Sequence, residues 1–209
     1  MIIENNILIK VDPNIAKIVV PEGVVEIGYS AFINSTVSEL TLPSSLEKIS
    51  AFAFSNCKKL SKVELPVGLK IIDSFAFAFS NISEINIPET VKVINMNAFA
   101  ATPLINNSTD EFIILGSRFL YMYQGDSVEV TIPEGVKVIC PLAFSKTSDY
   151  VEHKSGKKNP KIINCPNSLE RICNDAFYRL IGLEELNLSS RVEIEENAFN
   201  ECGLSLENF

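Results

Sequence analysis

Proline recurs along this chain with a nearly fixed step. Pro21, Pro43, Pro66, Pro88, Pro133 and Pro166 are separated by 22, 23, 22, 45 and 33 residues. The 45 is one step of 22 plus one of 23 with a proline missing, and the 33 is one step with roughly ten residues inserted. A further step, LEELNLSS, has Ser189 where proline would stand, 23 residues after Pro166. Ala-Phe pairs keep the same phase, at Ala31-Phe32, Ala53-Phe54, Ala76-Phe77, Ala98-Phe99, Ala143-Phe144, Ala176-Phe177 and Ala198-Phe199. A chain built this way winds round one path again and again. Each side chain then lies over its equivalent in the next coil, one strand spacing of about 4.8 Å away.

Each coil has the same parts. In VSELTLP, Leu40 and Leu42 point inward while Glu39 and Thr41 point outward, as the period of two requires. Proline ends that strand because it has no N–H for the ladder. A short apolar pattern follows, such as Val24 with Ile27 or Leu46 with Ile49, and predicts a second, shorter strand. The Ala-Phe corner is expected to be a single helical or 3-10 turn, too short to stand as an independent helix. The spacing therefore predicts a mostly β repeat solenoid of about eight or nine coils, with one main parallel sheet and short opposing strands. The expectation is a single domain over residues 1–209.

The pattern I-P-x-x-V-x-x-I-x-x-x-A-F-x-x-C-x-x-L resembles the BspA-like, or Treponema-type, leucine-rich repeat. The resemblance spans residues 15–206. The chain departs from it at Ser189, and at Cys140 and Cys173, where that family usually has glycine. Members look like surface adhesins that bind host matrix proteins or other cells, so the resemblance implies an adhesin as one functional reading.

Two segments break the regularity. Residues 103–132 hold two coils in irregular form, and Gly116-Ser117 between the runs FIIL and FLYMY predicts a hairpin near Ile113 to Tyr123, with TPLINNSTDE as its loop. The segment NNILIKVDPNIAKIVVPEGVVEIGYSAF near the start parallels GSRFLYMYQGDSVEVTIPEGVKVICPLAF in the middle. The second irregular segment is the insertion KTSDYVEHKSGKKNPK, residues 146–161. Its Lys154, Lys157, Lys158 and Lys161 form a candidate basic contact for an acidic partner or a phosphate, beside the plainer reading of a solvated loop.

Charge and motifs narrow the function. A net charge of −8 argues against nucleic-acid binding, which needs a basic face. No apolar run is long enough to span a bilayer. The start MIIENNILIKVDP lacks a basic head and a small-residue cleavage site, so a cytoplasmic location is expected, or the cell surface if the chain is part of a longer one. The five cysteines sit at repeat positions and read as buried, reduced side chains rather than a disulfide framework or a zinc site. The single histidine, His153, lies in the insertion, which leaves no histidine-based triad, and no phosphate-binding glycine loop is present.

The expected function is non-catalytic protein–protein interaction through a rigid sheet face, with no metal and no cofactor. In the first four coils the outward positions are Lys17, Glu39, Thr41, Lys62, Glu64, Glu84 and Asn86. Further on they are Glu129, Thr131, Glu185 and Asn187. A third reading is a polysaccharide-active enzyme using Glu39, Glu64, Glu84, Glu129 and Glu185 as acid and base. The end of the chain, LSLENF, completes only half a coil and is a candidate for end-to-end self-association.

Overall fold

The computed structural model describes residues 1–145, 159–189 and 191–205. It comprises two compact units, Met1–Ser108 and Thr109–Phe209, within the array that the spacing reads as one domain. The first unit runs β1 (Ile2–Glu4), β2 (Ile7–Lys10), β3 (Lys17–Val19), β4 (Glu26–Ile27), β5 (Glu39–Thr41), β6 (Lys48–Ile49), β7 (Lys62–Val63), β8 (Ile71–Ile72), β9 (Glu84–Ile85), β10 (Val93–Ile94) and α1 (Pro103–Asn106). The second runs β11 (Phe112–Leu115), β12 (Phe119–Tyr123), β13 (Glu129–Thr131), β14 (Val138–Ile139), β15 (Ile162–Asn164), β16 (Arg171–Ile172), β17 (Glu185–Asn187) and β18 (Glu193–Ile194).

Both units open in the same way. β1 and β2 form an antiparallel hairpin, and β2 then pairs in parallel with β4. β11 and β12 repeat this, and β12 pairs in parallel with β14. Asn5 and Asn6 turn the first hairpin, and Gly116 and Ser117 turn the second, all four at φ between +50° and +63°. Those values are the twist that a two-residue hairpin turn demands. The hairpin expected near Ile113 is therefore present. Its expected loop is not wholly irregular: Pro103 starts the short helix α1, at the first helical position where its missing N–H is harmless.

The short strands form the longest ladders. In the first unit the order is β1-β2-β4-β6-β8-β10, and in the second β11-β12-β14-β16-β18. The strands that precede the prolines give only the pairs β3-β5 and β7-β9 and the triplet β13-β15-β17. The spacing assigns the main sheet to these outer strands, and the structure reverses the weights. Coil length varies on one side of the corner only. From the buried isoleucine to the corner alanine the distance is four residues in every coil, as from Ile27 to Ala31 or Ile172 to Ala176. From that alanine to the next inward residue it is six at Val37 and Ile82 but seven at Leu60 and Leu183. Length variation is thus absorbed between the corner and the outer strands, and β7 and β9, whose coils differ by this one residue, still pair in register.

The corners form a third ladder. Phe32, Phe54 and Phe77 each donate their backbone N–H to the alanine carbonyl of the next coil, at 2.7–2.8 Å. Between these bonds the amides turn back within the coil, as Ala31 does to Gly28 and Ile33 does to Ser30. Each corner is a run of reverse turns, not the expected helical or 3-10 turn. The cause is a left-handed residue before the alanine (Ser30, Phe52, Phe75, Asn97, Leu142, Asp175), which cannot continue a right-handed helix. A second one lies three residues after the alanine, as at Asn34, Asn56 and Phe79.

The core follows from this winding. Phe32, Phe54, Phe77 and Phe99 stand in single file, with centroids 4.7, 5.1 and 5.4 Å apart. In the second unit the file is Tyr123, Phe144, Phe177 and Phe199, at 5.2, 5.2 and 5.3 Å. Tyr123 takes the phenylalanine position, and its hydroxyl accepts from Ser127 N at 3.2 Å. Offset-stacked pairs of this kind add about 0.5–1.5 kcal/mol each beyond the area they bury.

Candidate interaction face

Inward and outward residues alternate on the outer strands. Ile18, Val130, Ile163 and Leu186 are buried, whereas their neighbours Lys17, Glu129 and Glu185 are exposed. All eleven outward positions singled out from the sequence are exposed. Seven belong to the first unit: Lys17, Glu39, Thr41, Lys62, Glu64, Glu84 and Asn86. Four belong to the second: Glu129, Thr131, Glu185 and Asn187.

Register decides which of them meet. Lys17 lies opposite Glu39 in the β3-β5 pair, with the ammonium 2.7 Å from the carboxylate. Lys62 lies opposite Glu84 in β7-β9. Opposite charges on adjacent rungs stabilise a sheet slightly, and at this exposure such a pair is worth little. In the second unit Glu129, Ile162 and Glu185 share one row, and Thr131, Asn164 and Asn187 the next. Asn164 donates through Nδ2 to Glu129 Oε1 at 3.0 Å, and Asn187 donates to Asn164 Oδ1 at 2.8 Å. Asn164 is therefore part of this face, although period-two reading of the regular coils passes over it. A signal for it exists: KIINCP aligns with VEVTIP once the insertion is removed.

The carboxylates do not pair as acid and base. A lysine stands opposite Glu39 and Glu84, and an isoleucine separates Glu129 from Glu185. Among the described residues no group of three or more His, Cys, Asp or Glu is placed to hold a metal ion. Nor is any helix among them long and apolar enough to cross a membrane. Of the candidate basic contact, Lys154, Lys157 and Lys158 lie outside the described residues, and Lys161 forms an ion pair with Glu184. His153 and residues 206–209 of LSLENF are likewise outside them.

Beside the outer strands, the coil starts are clasped together. Gly23 N donates to Ser45 Oγ at 2.9 Å, and Ser45 Oγ donates to Val24 O at 2.8 Å. Glu22 accepts from Ser44 N and Ser44 Oγ, each at 3.0 Å. The second unit repeats the clasp with Gly135 and Ser168, and with Glu134 accepting from Asn167 N. The Glu22 carboxyl is held below its ordinary value by the Ser44 amide and then by the Ser44 hydroxyl.

A second aromatic column lies at the corners of the first unit. Tyr29 meets Phe52 edge-on at 5.8 Å, and Phe52 stacks on Phe75 at 5.0 Å. Phe52 and Phe75 are half-buried, and both occupy the left-handed corner position.

Three solved structures are similar to this chain. A leucine-rich repeat protein from Bacteroides ovatus is 22% identical, with a TM-score of 0.45 over 90% of this chain and 64% of its own. A leucine-rich repeat protein from Eubacterium ventriosum is 16% identical, with a TM-score of 0.43 over 91% of this chain and 77% of its own. The pneumococcal vaccine antigen PcpA is 24% identical, with a TM-score of 0.36 over 85% of this chain and 46% of its own. The chain thus spans less than two thirds of the Bacteroides protein and of the pneumococcal antigen. No curated protein matches it. The signature of the BspA type leucine rich repeat region matches residues 2–116 and 155–209, in six copies, and repeats of this kind are generally non-catalytic scaffolds. With more than half its length so matched, the chain belongs to the BspA-type leucine-rich repeat family.

Proposed function

We propose that the chain is a non-catalytic protein-binding scaffold whose partner reads the outward side chains of the outer strands. One observation carries the reading. The eleven outward positions read from the sequence are exposed while the strand residues between them are buried or half-buried, so polar groups are held at fixed spacing by a packed interior. A pre-ordered surface loses little freedom on binding, which leaves more of the contact energy as affinity. In the first unit Lys17 and Glu39 neutralise each other in part. Glu64 and Asn86, one residue beyond β7 and β9, are exposed as well.

The test is affinity capture from lysate with immobilised chain, read by mass spectrometry. It compares wild type with a variant carrying Glu39→Lys, Glu64→Lys and Glu84→Lys. The expected result is loss of the specifically retained proteins with circular dichroism unchanged. Retention of the same proteins by the variant would remove this face from the interaction.

A further inference from the structure

One position in each coil directly follows the buried isoleucine of the short strand. Gly28, Ser50, Asp73, Asn95, Cys140, Cys173 and Glu195 occupy it. Their backbone N–H groups all bond back to the preceding coil in the same manner. Asp73 N donates to Ile49 O at 2.9 Å, Asn95 N to Ile72 O at 2.9 Å, and Cys173 N to Ile139 O at 3.0 Å. Side chains in this column therefore project alike from adjacent coils. Asp73 and Asn95 show how close they come: Asn95 Nδ2 donates to Asp73 Oδ1 at 2.8 Å.

Cys140 and Cys173 fill the same column in consecutive coils of the second unit, after the paired residues Ile139 and Ile172. Both are buried. Paired strands lie about 4.8 Å apart, within the Cα separation of about 4.4–6.8 Å that a disulfide bridges. The remaining cysteines have no such counterpart. Cys57 donates to Phe32 O and lies beside Ser35, and Cys202 donates to Leu180 O.

We propose that Cys140 and Cys173 are a cross-coil thiol pair that closes to an intramolecular disulfide when the chain meets a disulfide oxidant such as oxidised glutathione. The thiolate of Cys173 attacks one sulfur of that oxidant, breaks its S–S bond and expels one glutathione thiolate. The thiolate of Cys140 then attacks the Cys173 sulfur, forms the cross-coil S–S bond and expels the second glutathione. The two protons shed by the cysteines end on the two glutathiones. Two protein thiols are oxidised and one disulfide is reduced to two thiols. Burial raises the Cys173 thiol to about 11 and the Cys140 thiol well above its ordinary value, with Arg171 acting in the opposite direction on both. The reaction is accordingly slow at neutral pH and speeds up as pH rises.

The bridge has a mechanical consequence. Between Cys140 and Cys173 the chain makes a 33-residue excursion, against 22 or 23 in regular coils. Closing a longer loop removes more freedom from the unfolded chain, so the oxidised form resists unfolding more than the reduced form.

The experiment incubates the native full chain with oxidised glutathione at mildly alkaline pH. It is then unfolded in excess alkylating agent, digested and analysed by mass spectrometry. The expected result is a Cys140–Cys173 peptide pair lighter by two hydrogens, with Cys57, Cys165 and Cys202 alkylated and the thermal midpoint raised. A Cys165→Ser variant should bridge equally well. Full alkylation of Cys140 and Cys173, separate glutathione adducts on each, or a bridge from either to Cys165 would overturn the proposal.

Discussion

At the scale of the residue, two demands meet at six of the seven Ala-Phe corners. The Ala-Phe pair must stack, and the residue before it must be left-handed. Phe77 is fully buried between Phe54 and Phe99, and Phe77→Ala should cost about 3–5 kcal/mol in chemical denaturation, against a far smaller loss for Phe77→Leu. The left-handed demand shows in Leu142, at φ +63° and only half-buried. Equivalent positions carry Ser30, Asn97 and Asp175, whose short polar side chains tolerate that conformation better. Leu142→Asn should raise the thermal midpoint, with a gain of up to about 1 kcal/mol. An unchanged or lowered midpoint would show that Leu142 packing outweighs backbone strain. Stacking was legible from the spacing of phenylalanine alone. The left-handed residues were not, because serine, phenylalanine, asparagine and leucine share no side-chain signature.

At the scale of the element, the hairpin and the clasp are the repeated devices. Each unit begins with a hairpin, passes through Pro-Glu-Gly-Val and is clasped by a serine one coil later. Gly135 has φ +96°, and its N–H feeds Ser168 Oγ. Gly135→Ala should destabilise by about 1 kcal/mol or more, and Ser168→Ala by about 0.5–1.5 kcal/mol, both read by urea denaturation. Glu22 adds a pH dependence. Its carboxyl is depressed in the folded chain, so its contribution is complete above the ordinary value of 4.5 and falls away as acid protonates it. Melting temperature followed from neutral pH downward should therefore drop more steeply for wild type than for Glu22→Gln. The sequence parallel between the two Pro-Glu-Gly-Val segments was visible beforehand, but their clasps were not. They join residues 22 or 33 apart whose neighbourhood exists only after winding.

At the scale of the whole molecule, the chain is two units with separate sheets and separate aromatic files. Each has its own opening hairpin, which supplies the first rung of its long ladder. Residues 1–108 expressed alone should therefore unfold cooperatively with retained β circular dichroism. A broad, non-cooperative melt would mean that the first unit needs the rest of the chain. The candidate face is divided in the same way, with seven of its sequence-derived positions in the first unit and four in the second. Reading the strands from sequence placed those positions outward correctly, since period-two alternation depends on local backbone geometry. It did not show that Lys17 answers Glu39 or that Asn164 joins Asn187 to Glu129.

The amino-acid order by itself determined the period, the stacked phenylalanine files, the outward polar rows and the hairpin that opens the second unit. These follow from local spacing, and local spacing is copied from coil to coil. The tertiary structure decided which strand column carries the continuous ladder and which charges meet across coils. It also turned the corners into left-handed reverse turns and set Cys140 beside Cys173. Each of these depends on how coils of unequal length come into register, and register is a relation between distant residues that no single stretch of sequence contains.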